Sequence, residues 1–128
     1  MSRLTVLHVD DEPDIREVAA MSFDLDADIA LVSAASGAEA LERLEGGLRP
    51  DVILLDVMMP ELDGPGTLAR LRQIAGLEHT PVIFMTARAQ SSELSRYIAL
   101  GALGVIVKPF DPMTLAASVR DTLAGGSR

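Results

Sequence analysis

Five short aliphatic runs, each followed by a segment of helical period, leave this chain few architectures. The runs are Leu4–Val9, Ile29–Ser33, Val52–Leu55, Val82–Met85 and Val105–Val107. Several are solidly Val, Ile and Leu, as strands covered on both faces must be. Between them, Ile15, Val18, Ser22 and Leu25 fit one helix face, and Ala40, Leu41 and Leu44 another. Leu68, Leu71 and Ala75 give a third stripe, Leu94, Ile98 and Leu100 a fourth, and Leu115, Val119 and Leu123 a fifth. The punctuation agrees. Ser36 with Glu39 makes a capping box, and Gly46-Gly47 stops that helix. Asp111-Pro112 reads as an N-cap with proline in the first turn, and Gly101 ends the fourth helix. The expected fold is α/β, a doubly wound (βα)5 chain with a five-stranded parallel sheet.

Composition narrows the chemistry. At 128 residues the chain fits a single domain spanning residues 1–128, with no linker before the terminal Gly-Gly-Ser-Arg. With three Phe, one Tyr and no Trp, the core must be built from aliphatic side chains and Met. The absence of cysteine removes disulfides, thiolate metal sites and a cysteine nucleophile, and two isolated histidines cannot form a His-rich metal site. A formal charge of −8 argues against nucleic-acid or anionic-membrane binding, both of which need a basic face. No apolar stretch approaches the ~20 residues of a membrane span, and the N-terminus lacks a signal-peptide core. These features read as a cytoplasmic protein. His8, alternating with apolar neighbours, reads as a satisfied residue at the core edge, His79 as part of a loop, and Met58-Met59 as loop packing.

Ligands of an open α/β sheet bind beyond the carboxyl ends of the strands. Asp10 and Asp11 follow the first run, Asp56 the third, Thr86 the fourth and Lys108 the fifth, while the second ends in Ala34 and Ala35. Taken singly, each has a plain reading as a cap, a turn residue or a solvated charge. Together, four of five strands end in groups suited to one reaction, phosphoryl transfer to a carboxylate. Adjacent acids repel, and clustered carboxylates without His or Cys select a hard, oxygen-loving ion, for which Mg²⁺ fits best. Lys108 adds the second positive charge.

The spans VLHVDDEPDIR, PDVILLDVMMPELDG, PVIFMTARA and GVIVKPF, in that order, resemble the four signature blocks of the CheY-like receiver domain of two-component response regulators. The resemblance covers essentially the whole chain. It implies the flavodoxin-like strand order 2-1-3-4-5, for which the chemotaxis member CheY is a standard example. It implies Asp56 as phosphoacceptor, Asp11 and Asp56 as direct Mg²⁺ ligands, a backbone carbonyl from Met58, and Asp10 acting mainly through water. Lys108 would bind the phosphoryl group, with a cis bond to Pro109, and Thr86 would be the switch hydroxyl. One residue departs from the pattern: the family often has Tyr or Phe three residues before the lysine, where this chain has Val105.

The implied function is a signalling module that takes its phosphoryl group from a phosphohistidine protein, either a sensor histidine kinase or a histidine phosphotransfer protein. It would signal to a protein target through the face formed by the fourth helix, fifth strand and fifth helix. It would catalyse only its own phosphorylation and dephosphorylation, and no output domain is expected after the fifth helix. Two other classes fit less well. A phosphatase of the haloacid-dehalogenase type needs a second Asp two residues after its nucleophile, where Met58 stands, and an inserted cap. A flavin-binding module would not place acids where a flavin phosphate must sit.

Overall fold

The computed structural model describes residues 3–88 and 90–125. Strands β1 (Leu4–Val9), β2 (Ile29–Ala34), β3 (Val52–Asp56), β4 (Val82–Thr86) and β5 (Gly104–Val107) alternate with helices. The helices are α1 (Pro13–Asp24), α2 (Gly37–Glu45), α3 (Gly64–Leu71), α4 (Ser91–Ala99) and α5 (Leu115–Gly125). The strands form one parallel sheet in the order β2-β1-β3-β4-β5. The solid aliphatic runs occupy its middle: every residue of β3 and β4 is buried, whereas β5, at one edge, contains none that is fully buried. β1 pairs with β2 from Leu4↔Ile29 to Val9↔Ala34, and with β3 from Val6↔Val52 to Val9↔Leu55. The chain leaves β1 in one direction for β2 and returns to the other side for β3. A crevice opens between β1 and β3 at their carboxyl ends.

Alternating side chains split the core into two layers. Leu7, Val9, Ile53, Leu55 and Phe84 pack with Ala40, Leu44, Leu68 and Leu71 of α2 and α3. On the other face, Val6, Leu54, Ile83 and Met85 pack with Ala19 and Phe23 of α1 and with Leu115 and Val119 of α5. The α2 cap forms as expected, with Ser36 accepting from Glu39 N at 3.0 Å. The Glu39 carboxylate reaches back to Ala35 N at 2.8 Å, one residue beyond the usual capping-box partner.

Several elements differ from the sequence expectation. On α1, Phe23 is buried and Leu25 is 65% exposed, because the helix ends at Asp24 and Leu25 turns outward at its cap. α3 stops at Leu71, so Ala75 lies in the turns that follow. On α4 the exposed Ile98 and Leu100 do not form the core stripe; among the described residues of that helix only Tyr97 is buried. A fully buried apolar side chain contributes roughly 1.5–3 kcal/mol, so α4 is the most weakly anchored helix. α5 begins at Leu115 because Asp111 caps a separate turn, its carboxylate accepting from Met113 N and its carbonyl from Thr114 N. Gly101, at φ +110°, ends α4 as expected. Gly125 closes α5, and the last three residues of the Gly-Gly-Ser-Arg tail lie outside the described residues.

His8 is also corrected. It is fully buried on β1, and neither ring nitrogen has a hydrogen-bond partner. Burial drives its pKa down to about 4; the Asp10 charge opposes this, while those of Lys108 and Arg16 add to it. The ring is neutral and unsatisfied at neutral pH. Leaving a buried polar group unpaired costs about 1–3 kcal/mol. His8→Leu, close in size, is therefore expected to stabilise the fold by that order in chemical denaturation. A lower unfolding midpoint would show that the imidazole has a partner.

Candidate functional site

Four strand ends carry their functional groups to one crevice. Asp10 directly follows β1 and Asp11 comes next; Asp56 closes β3, Thr86 closes β4 and Lys108 follows β5. Carboxylate oxygens of Asp10, Asp11 and Asp56 lie within 4.8 Å of one another. Asp10 is completely buried, with Oδ1 accepting from Glu12 N at 2.9 Å and Oδ2 from Lys108 Nζ at 2.8 Å. The same ammonium stands 3.1 Å from Asp56 Oδ1. The Lys108–Pro109 peptide is cis.

The charges do not balance. Three carboxylates face one ammonium, which leaves room for a divalent cation and for donors that are all oxygens. Burial raises the Asp56 carboxyl to about 6, the Asp10 charge adds to the rise, and Lys108 opposes it. Burial alone would lower the Lys108 ammonium, yet Asp10 and Asp56 beside it hold it above its ordinary value. A further positive charge would relieve the mutual repulsion of the acids.

Thr86 is buried, and its Oγ1 accepts from Arg88 N at 3.0 Å. β4 aligns Met85 with Asp56 and Thr86 with Val107, so the hydroxyl stands between the acid and the lysine strands. Met58 is 71% exposed, and the Arg88 side chain is 73% exposed, so both reach into solvent from the loops that follow β3 and β4. Met59, by contrast, is buried in the core.

Three supporting features escaped the sequence reading. Arg16 donates to the carbonyl of Asp10 at 2.8 Å, which no local pattern announces. A Cβ on Gly64 would lie 2.6 Å from the Asp56 carbonyl oxygen and 2.9 Å from Val57 Cα, so α3 starts directly against the acid's backbone. The Asp63-Gly64-Pro65 helix start was a usable signal for this close approach. Finally, Lys108 is the only lysine in the chain; every other basic side chain besides the histidines is Arg. A compact ammonium fits a three-sided anion pocket better than a planar guanidinium does.

Residues 6–120 match the response regulator receiver domain. The chain belongs to that family. The receiver is 36% identical over 121 residues to the response regulator Rre1 of Synechocystis, covering 94% of this chain and 52% of Rre1. It therefore spans about half the length of that relative. Among solved structures, the chemotaxis response regulator CheY4 of Vibrio cholerae superimposes with a TM-score of 0.86 at 32% identity, over 94% of this chain and 99% of that one. A putative response regulator from Chloroflexus aurantiacus gives a TM-score of 0.84 at 32% identity, over 96% and 99% of the two chains. These likenesses agree with the two-component receiver fold seen in the sheet order.

Proposed function

We propose that this receiver takes a phosphoryl group from a phosphohistidine protein onto Asp56, in a Mg²⁺-dependent reaction, and thereby changes the surface it offers to a partner protein. The observation that carries the reading is the excess of three clustered carboxylates over one lysine at the crevice of the sheet. Asp11 and Asp56, the Met58 carbonyl and, through water, Asp10 would hold the cation. Bound there, Mg²⁺ supplies the charge neutralisation that phosphoryl oxygens need.

The remaining steps belong to the chain. An Asp56 carboxylate oxygen attacks phosphorus, the new O–P bond forms, and the N–P bond to the donor imidazole breaks. Lys108, already 3.1 Å from Asp56, pairs with a phosphoryl oxygen. Thr86 turns its hydroxyl towards another. The donor is a sensor histidine kinase or a histidine phosphotransfer protein. The output face is α4–β5–α5, where Ile98, Leu100 and Val107 are exposed. The setting is cytoplasmic; no described helix is long and apolar enough to cross a membrane. Incubation with acetyl phosphate and Mg²⁺ should place one base-labile phosphoryl group on each chain. Steady hydrolysis of a phosphomonoester would instead indicate a phosphatase.

Met58, two residues after Asp56, and Arg88, two after Thr86, would set the lifetime of the acyl phosphate. Neither Met58 nor Arg88 carries a carboxylate or carboxamide that can orient an attacking water. Self-dephosphorylation is therefore expected to be slow, and Met58→Asn should speed it several-fold. An unchanged or slower decay of the labelled protein would count against this role.

A further inference from the structure

α4 is held to the rest of the molecule by one buried side chain, Tyr97, and that side chain is linked step by step to the site. Its ring meets Phe84 edge-on, with centroids 5.3 Å apart and planes at 61°. Phe84 lies on β4 two residues before Thr86. The Tyr97 hydroxyl donates to Glu93 Oε2 at 3.3 Å, and Glu93 Oε1 lies 4.0 Å from Arg88 Nη1. The backbone N–H of Arg88, in turn, donates to Thr86 Oγ1. Val105, aligned with Phe84 on β5, packs against the same core.

We propose that Tyr97 carries the state of the site to α4, with the Arg88–Glu93 contact as the latch that holds it; the proposal rests on the phosphoacceptor reading of Asp56. Val105, where the family often has Tyr or Phe, is β-branched with a single, restricted side-chain torsion, so β5 offers no mobile ring there. Tyr97 supplies one from the helix itself. When Thr86 rotates about its Cα–Cβ bond to bring its hydroxyl to a phosphoryl oxygen, Oγ1 moves off the Arg88 N–H, which loses its acceptor. The backbone there shifts to find another. That shift carries the guanidinium away from Glu93, already at the limit of ion-pair distance. Glu93 then no longer holds the phenol, and α4, with no other buried anchor among its described residues, changes its seat on the sheet. A switch can move only as far as its contacts differ between states. Here the differing contacts are Arg88 to Glu93 and Glu93 to Tyr97.

The chain offers a direct readout, because Tyr97 is its only tyrosine and it has no tryptophan. A carboxylate that accepts the phenol proton quenches tyrosine emission. Phosphorylating the full chain with acetyl phosphate and Mg²⁺ should therefore raise that emission, with phosphoryl content measured by mass on the same sample. In Glu93→Gln, emission should be high from the start and insensitive to phosphorylation, while each chain still takes up one phosphoryl group. Glu93 is partly exposed, so this variant should fold. Full phosphorylation with unchanged wild-type emission overturns the role of Tyr97 and leaves the reading of Asp56 standing. So does a Glu93→Gln protein that responds as the wild type does. A chain that takes up no phosphoryl group overturns both.

Discussion

Asp56→Asn abolishes phosphoryl uptake from acetyl phosphate and leaves a folded protein: this is the expected result of removing one oxygen nucleophile while keeping its shape. Asn fills the same volume at the end of β3, where Asp56 is 3% exposed, but its amide does not attack phosphorus. Neighbouring acids cannot take over easily. Both Asp10 oxygens are already engaged, by Glu12 N–H and by Lys108, and the side chain is fully buried. Labelling should fall to background, as measured by mass or by incorporated radiolabel. Strong residual labelling on another residue would sink the assignment. The variant should also be more stable than the metal-free wild type, because it no longer places a third charge in the acid cluster.

Mg²⁺ should raise the thermal stability markedly. Binding to the folded state alone gives about 2.7 kcal/mol at a hundredfold excess over the dissociation constant. For a domain of this size that corresponds to about 10 °C in melting temperature. Asp11→Ala should remove most of the increment, and a melting temperature indifferent to millimolar Mg²⁺ would show the site to be wrong. The pH dependence follows from Asp56. Its folded pKa, about 6, lies above its ordinary value of 3.8, so the folded protein holds the proton more tightly. That contribution to stability is complete below the ordinary value and is lost as pH rises through about 6. His8 opposes it, because its depressed pKa costs stability as pH falls from 6.5 towards 4. The gain from Mg²⁺ should therefore be largest above pH ~7 and shrink as Asp56 takes a proton in competition with the metal.

What could be read from the sequence depended on how far each effect reaches along the chain. Solid Val/Ile/Leu runs marked β3 and β4 as interior strands because both faces of such strands are covered. The meeting of Asp10, Asp11 and Asp56 followed from parallel topology, which sends all the carboxyl ends of the strands to one side. The strand order and the cis Lys108–Pro109 peptide came from the likeness of four motifs, since periodicity alone does not specify either. Where long-range packing decides, the reading failed. Ile98 and Leu100 were spaced like a core stripe, but α4 buries Tyr97 against Phe84 instead. The hydrophobic surroundings of His8 were visible in sequence; that no donor or acceptor reaches its ring was not. The steps from Thr86 to Arg88, Glu93 and Tyr97 run through a backbone N–H and two side-chain contacts, none of which leaves a motif.

The graded burial of the sheet divides the molecule mechanically. β3 and β4 place every residue in the interior, while β5 and α4 together bury a single described side chain. The free energy of local opening follows such differences, from near zero at weakly packed elements to the full unfolding value at the centre. Asp56 therefore stands on the stiff half, which would hold the oxygen proposed to attack phosphorus in a fixed position. The face proposed to meet a partner lies on the soft half, where the sparse burial of α4 and β5 makes local rearrangement cheap. Selection of a rearranged state by a partner would need little work from the acyl phosphate, and rigid chemistry and pliant output can coexist in one small domain.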